Sequence, residues 1–170
     1  MNISYAIRRA EPSDARALTR LVRSSRAYRG RYAPMVERYT VGPDYIAAHE
    51  VHAAVAEDPS VGRGGLLGFY ALLLDPRELD LMFVADAAQG LGVGRALVTH
   101  MRERARAAGL TWVRVVSHPP AEGFYRSVGA VPMGTLPAAP PAVAWDRPEL
   151  VFPLGLPAAE AVAVAGAATA

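Results

Sequence analysis

The sequence predicts an α/β fold built on a mixed sheet, and three adjoining segments carry that prediction. Glu78-Leu79-Asp80-Leu81-Met82-Phe83-Val84 alternates with period two and reads as a strand. Gln89-Gly90-Leu91-Gly92-Val93-Gly94-Arg95 then opens an amphipathic helix, and Thr111-Trp112-Val113-Arg114-Val115-Val116 is rich in β-branched and aromatic residues. Strand, glycine loop, helix and strand in that order make a crossover, and a crossover joins parallel strands. Upstream, segments near Val51 to Glu57 and Leu66 to Leu74 read as strands that form an antiparallel meander with the one at Glu78.

The remaining elements follow from local signals. Ile3 to Arg9 reads as a strand. Ser13 or Asp14 caps a helix through about Arg26, with Ala17, Leu18, Leu21 and Val22 on its inner face. Residues 27–50 form an irregular aromatic segment holding Tyr28, Tyr32, Tyr39 and Tyr45, with a short helix near Asp44 to His49. Asp58-Pro59-Ser60-Val61-Gly62-Arg63-Gly64-Gly65 is a turn. In the strand at Glu78, the residues Leu79, Leu81 and Phe83 share one face, and Glu78, Asp80, Met82 and Val84 the other. The following helix places Leu91, Ala96, Leu97, Val98 and Met101 near helical spacing, and Gly109 ends it. Beyond Gly129, Val131 to Thr135 and Glu149 to Leu154 read as strands on either side of a proline and alanine rich stretch. Residues 1–156 are expected to form a single domain. The nearly uncharged alanine-rich tail 157–170 is expected to fray or be disordered.

Composition narrows the function. A chain of 170 residues, 52% apolar and 20% charged, fits one soluble domain with a full core. It has no cysteine, which excludes a disulfide framework, a thiolate metal site and a cysteine-linked acyl intermediate. No apolar run approaches a membrane span, and residues 1–30 carry arginines and carboxylates where a secretion signal has an apolar stretch. The expectation is a cytoplasmic protein with no membrane partner. The net charge of +2 gives no argument for a nucleic acid partner. All 18 basic residues are arginine, and Arg16, Arg20, Arg23, Arg26, Arg29 and Arg31 fall in a stretch without a carboxylate. That stretch is either a solvated helix face or a rim that attracts acidic acceptors or cofactor phosphates. His49, His52, His100 and His118 lack metal-ligand spacing, so no metal is expected.

The glycine loop is the strongest chemical signal. A helix N-terminus presents unpaired N–H groups and roughly half a positive charge, which suits a phosphate. Glycine inside a helix costs about 1 kcal/mol against alanine, so Gly92 and Gly94 in the opening turn imply either close approach of a ligand or a tight strand-to-helix connection. A dinucleotide fold requires G-x-G-x-x-G and an acidic residue about 20 residues on. Counting from Gly90 gives only G-x-G-x-G, and the segment ending at Ser117 holds no carboxylate, so nicotinamide binding is the weaker reading.

These residues resemble the GCN5-related N-acetyltransferase (GNAT) family, whose acyl-CoA signature is Q/R-x-x-G-x-G/A at the start of a helix. Gln89-Gly90-Leu91-Gly92-Val93-Gly94 fits it throughout. A second family pattern, N-x-x-A-x-x-x-Y-x-x-x-G-F, is met by His118-Pro119-Pro120-Ala121-Glu122-Gly123-Phe124-Tyr125-Arg126-Ser127-Val128-Gly129-Ala130 at Ala121, Tyr125 and Gly129. His118 stands at the asparagine position and Ala130 at the phenylalanine position. The strong resemblance covers residues 78–130. It implies a mostly antiparallel central sheet of about six or seven strands flanked by helices, with strands 4 and 5 parallel and splayed. It also implies acetyl-CoA as co-substrate, a small-molecule or peptide amine acceptor, an acceptor pocket drawn partly from residues 27–50, and a homodimer.

Acetyl transfer needs an amine deprotonated, a thioester carbonyl polarised and a thiolate protonated. Glu78, on the central strand, suits the base, directly or through water, with Asp80 as fallback on the same face. The resemblance supports Glu78 and implies Tyr125 as the acid that protonates the CoA sulfur. It further implies that backbone amides near Phe83 and Val84 orient the pantetheine, and that Gln89, Gly90, Leu91, Gly92, Val93, Gly94 and Arg95 hold the diphosphate. His118 either contacts the pantetheine, assists proton transfer or sits exposed before Pro119. The competing expectation is a module that binds CoA and has lost catalysis.

Overall fold

A computed structural model describes residues 2–62 and 64–170, so Arg63 of the expected turn lies outside the described residues. The strands are β1 (Tyr5–Arg9), β2 (Glu50–Ala56), β3 (Leu66–Leu73), β4 (Glu78–Val84), β5 (Trp112–Val116), β6 (Val131–Leu136) and β7 (Arg147–Pro153). The helices are α1 (Ala15–Ser24), α2 (Pro43–Ala48), α3 (Val93–Ala107), α4 (Glu122–Ser127) and α5 (Ala158–Ala168). The strands form one mixed sheet of seven in the order β1-β2-β3-β4-β5-β7-β6. β4 and β5 are parallel, with Glu78 opposite Arg114, whereas β1 with β2, β2 with β3, β5 with β7 and β6 with β7 are antiparallel. The predicted mixed, mostly antiparallel sheet with helices is therefore the fold.

The chain divides into two compact units, Met1–Leu72 with Leu81–Met101, and Leu73–Asp80 with Arg102–Ala170. In the first, Leu18 and Val22 of α1 and Ile46 of α2 are fully buried in a cluster with Val51, Phe69 and Phe83. A 3-10 turn, Pro12–Asp14, leads into α1 and carries a capping box with Glu11 as its N-cap: the Asp14 carboxylate accepts the Glu11 N–H at 2.8 Å and pairs with Arg8 at 2.8 Å, while Asp14, the expected cap of α1, makes no side-chain cap bond to that helix. That same pair holds the Asp14 carboxyl below its ordinary range, with the Arg8 hydrogen bond as the largest cause. Gly68 on β3 shows how tightly this unit packs. A Cβ there would stand 2.7 Å from the Phe83 carbonyl oxygen and 3.1 Å from Leu97, so only glycine fits.

In the second unit the antiparallel ladder β5-β7-β6 carries the core. Arg102 donates to the carbonyls of Val128 at 3.1 Å and Pro153 at 3.2 Å, and Arg106 donates to Leu154 at 3.2 Å. These bonds give side-chain donors to main-chain carbonyls where α4 and β7 end. The tail expected to fray is helical over Ala158–Ala168. Its Ala161 and Ala165 are fully buried with Trp112 and Val151. The physical reason is that alanine combines the highest helix propensity with a side chain small enough for close packing on a sheet face, which composition alone does not reveal.

Candidate active site

The glycine loop belongs to the first unit and is shaped almost entirely by main chain. After β4 a 3-10 turn spans Asp86–Ala88, and the Gln89 side-chain amide then donates to the Val84 carbonyl at 3.1 Å. The first signature residue thus ties the loop to the strand it leaves. Gly90 and Gly92 have φ of 77° and 81°, a left-handed region that side chains disfavour. A Cβ added at either would meet nothing within 4 Å, so the requirement is backbone shape and the outer side of the loop is clear. Ala96 donates to the Gly92 carbonyl at 3.0 Å as the first turn of α3 closes. The amides of Val93, Gly94 and Arg95 precede that bond and are the helix-start donors that have no intrahelical acceptor. The 15 residues of α3 span about 22 Å, and their aligned peptides add roughly half a positive charge at this end. Val93 is fully buried and seats the turn, while Leu91 and Arg95 are exposed.

Phe83 is buried between two rings, Phe69 at 5.9 Å and Tyr28 at 5.6 Å between centroids. Its side chain is core, which leaves only its backbone to meet a ligand. Burial pushes the Tyr28 hydroxyl up to about 12, so that ring stays neutral across the working pH range. The arginine-rich stretch splits rather than forming one rim. Arg26 pairs with Asp86 at 3.5 Å, and Arg31 lies over the Tyr32 ring at 4.9 Å. Arg16, Arg20 and Arg23 line a shallow groove of about 660 Å³ along α1, where Arg23 donates to the Tyr39 carbonyl at 2.8 Å and to Thr40 at 3.0 Å.

The second unit holds the titratable chemistry. Glu78, the first residue of β4, accepts a hydrogen bond from Arg114 Nη1 at 3.0 Å. The same guanidinium gives Nε at 2.9 Å and Nη2 at 2.7 Å to Glu149 Oε2 on β7. All three side chains are mostly buried, at 20%, 16% and 14% exposed for Glu78, Arg114 and Glu149. Burial pushes the Glu78 carboxyl above its ordinary range, Arg114 opposes that shift, and the neighbouring Asp80 adds to it. A carboxylate poised upward is what a general base near neutral pH requires. Asp80, the fallback on the same face, is exposed.

Tyr125 on α4 is 7% exposed, with its ring edge-on to Phe152 at 6.3 Å. Gly129 explains its own place in the second pattern. It ends α4 with φ of 102°, its N–H bonding the Arg126 carbonyl at 3.2 Å while the Ala130 N–H bonds the Tyr125 carbonyl at 3.0 Å. That pair of bonds is a Schellman cap. His118 is buried, which removes the reading of an exposed residue before Pro119, and its carbonyl accepts from Ser117 Oγ at 2.7 Å and from the Ala121 N–H at 3.0 Å. Among the described residues no group of three or more His, Asp or Glu is placed to hold a metal ion, and no helix is long and apolar enough to cross a membrane.

The acetyltransferase (GNAT) domain family matches residues 49–129, from the start of β2 through the glycine loop to the glycine that caps α4. Over that stretch the chain is similar to the GNAT acetyltransferase domain. Solved structures agree on the fold. A GCN5-related N-acetyltransferase from Rhodopseudomonas palustris is 20% identical, covering 91% of this chain and 99% of that one at a TM-score of 0.69. Nourseothricin acetyltransferase is 20% identical over 88% and 98% of the two chains at 0.66. The ribosomal-protein-S18-alanine N-acetyltransferase of Escherichia coli is 16% identical over 91% and 96% at 0.64. A search of curated proteins returns no match.

Sequence reasoning missed two residues of this network, Arg114 and Glu149. The signal existed: Arg114 is the lone charge in the strand Trp112-Val113-Arg114-Val115-Val116, whose Trp112, Val113 and Val115 are buried. A cation in so apolar a strand needs a partner, because an unpaired buried charge is prohibitively costly. Glu149 gave less away, standing at the edge of a proline-bounded segment.

Proposed function

We propose that the protein is an N-acetyltransferase that moves an acetyl group from acetyl-CoA directly to a primary amine in a ternary complex. The observation that carries this reading is the pair of left-handed glycines, Gly90 and Gly92, placed ahead of the free amides that open α3, with nothing standing where a side chain would block a phosphate. The residues present fit the diphosphate of coenzyme A: main-chain donors, a helix N-terminus and Arg95 as an exposed cation. The thioester supplies an activated acetyl group when bound.

This chain's residues do the rest. The amides of Gly92, Val93, Gly94 and Arg95 bind the diphosphate. The backbone of Phe83 and Val84 orients the pantetheine and polarises the acetyl carbonyl. Glu78 takes a proton from the acceptor ammonium, directly or through a water, so that nitrogen presents a lone pair. As the N–C bond forms and the C–S bond breaks, Tyr125 gives its hydroxyl proton to the departing sulfur. His118 is assigned to the pantetheine side of the site. Residues 27–50 contribute to the acceptor pocket.

The experiment is calorimetric titration with acetyl-CoA, followed by thiol release measured over a panel of amines that includes peptide N-termini, polyamines, amino sugars and aminoglycosides. Saturable heat and amine-dependent thiol release are expected. Absence of binding overturns the reading, and binding without thiol release on any amine replaces the enzyme with a CoA-binding sensor.

A further inference from the structure

We propose that Arg114 is a positioning residue for the transfer, and that Glu149 governs how much of its guanidinium is available to Glu78. The inference rests on the reading of Glu78 as the base.

The register of the sheet makes the arrangement unavoidable. Arg114 stands opposite Glu78 on its β4 side and opposite Val151 on its β7 side. Glu149 lies two residues from Val151 on the same strand, so alternation puts it on the same face, within diagonal reach of a long side chain. A guanidinium offers five donors in a rigid fork. Here one arm, Nη1, goes to Glu78, while Nε and Nη2 converge on a single oxygen of Glu149. Glu149 therefore holds the larger share. Arg114 is one cation shared by two carboxylates, and the other charged groups that act on Glu78 are Asp80 on its own strand and Arg147 on β7.

Two consequences separate this arrangement from a simple ion pair. Removing Glu149 releases the whole fork to Glu78 and favours its ionised form. Removing Arg114 has the opposite effect. A residue with a purely structural role would not move the titration of Glu78 in opposite directions through its two neighbours.

The test follows the Glu78 carboxyl directly, by carbon-detected NMR titration of glutamate-labelled protein, alongside the pH dependence of kcat/KM, in wild type, E149Q, R114Q and R114K. E149Q is expected to shift the Glu78 titration and the acidic limb of the profile to lower pH, and R114Q to shift both to higher pH. R114K keeps the charge without the fork, so its Glu78 titration should stay near wild type while kcat falls about tenfold at unchanged acetyl-CoA affinity. Should R114Q not fold, E149Q and R114K decide the matter. Shifts in the same direction, or none in E149Q, overturn the proposal. E78Q separates the two readings: full activity in that variant removes Glu78 as base whatever the titrations show, whereas an inactive E78Q with an unmoved Glu78 titration in E149Q removes only the role of Arg114.

Discussion

In the loop that opens α3, an anion would be held by main chain, whereas at β4, β5 and β7 charge is held by side chains. The first arrangement depends on two φ angles and a run of amides within one contiguous stretch, Gln89 to Arg95. The second depends on Glu78, Arg114 and Glu149, brought together only by strand register. Main-chain donors do not titrate, so the loop should be indifferent to pH and sensitive to backbone shape. The carboxylate network should behave the other way round. Mutations that separate binding from turnover are the means of breaking this contrast.

The largest effect is expected at Glu78. Glu78→Gln should lower kcat by about 100-fold or more, the range of a lost general base, while acetyl-CoA affinity stays within about twofold. Equal losses in both would place Glu78 in cofactor binding and dissolve the division. Tyr125→Phe should follow, with kcat down about 10- to 100-fold, because bulk water can partly replace the proton donor. Unchanged turnover in that variant would remove the acid role and leave Tyr125 as the ring that packs on Phe152.

Glycine substitutions test the other side. Gly92→Ala forces a side chain into φ of 81°, a strain of roughly 1–2 kcal/mol, which should weaken acetyl-CoA about tenfold if the bound loop keeps that shape. No neighbour is struck, so its melting temperature should fall by no more than the few degrees that this strain represents. Gly68→Ala makes the contrast. Its Cβ would meet the Phe83 carbonyl at 2.7 Å, so roughly 1–3 kcal/mol of overpacking should appear as lost stability. A Gly92→Ala protein that binds normally but melts early would show that the loop glycines serve the fold alone.

The two regions also differ in how far the sequence disclosed them. The glycine loop was legible because its elements are contiguous: the period-two strand, the glycines and the helical spacing each leave a local mark. Even there one detail had no local mark, the bond from the Gln89 side chain to the Val84 carbonyl. The Glu78 network was half legible. A carboxylate on the central strand can be nominated from chemistry, but the fork of Arg114 between two glutamates is a product of sheet order, with β7 lying between β5 and β6. Chain order does not state that order. The tail was misjudged for a related reason: the burial of Ala161 and Ala165 against Trp112 is a tertiary contact with no local signature.

Working pH offers a finer separation. Because burial raises the Glu78 carboxyl above its ordinary value near 4.5, the acidic limb of kcat should lie above that of a free glutamate, whereas acetyl-CoA affinity should be flat across the same interval. A binding curve that follows the kinetic limb would show a titrating side chain in the phosphate cradle.

The smallest effect concerns a cluster in the first unit that the proposed chemistry does not use. His52 on β2 is 6% exposed, its Nε2 lies 2.8 Å from Glu50, and its ring lies 4.8 Å from that of His100. Burial holds its pKa below the ordinary 6.5, with His100 adding to that shift and Glu50 opposing it. The unfolded chain then binds the proton first as pH falls below about 6.5, so the native state loses stability from there down to the folded pKa and keeps it above. The melting temperature should therefore fall between neutral pH and the depressed pKa. His52→Gln should flatten that slope and leave acetyl-CoA affinity unaltered at every pH. If the slope survives the substitution, the pH dependence of stability belongs to another group. If affinity acquires the slope of the wild-type melting curve, the loop is not the inert main-chain device that its geometry describes, because its grip would then be coupled to side-chain charge within the same unit.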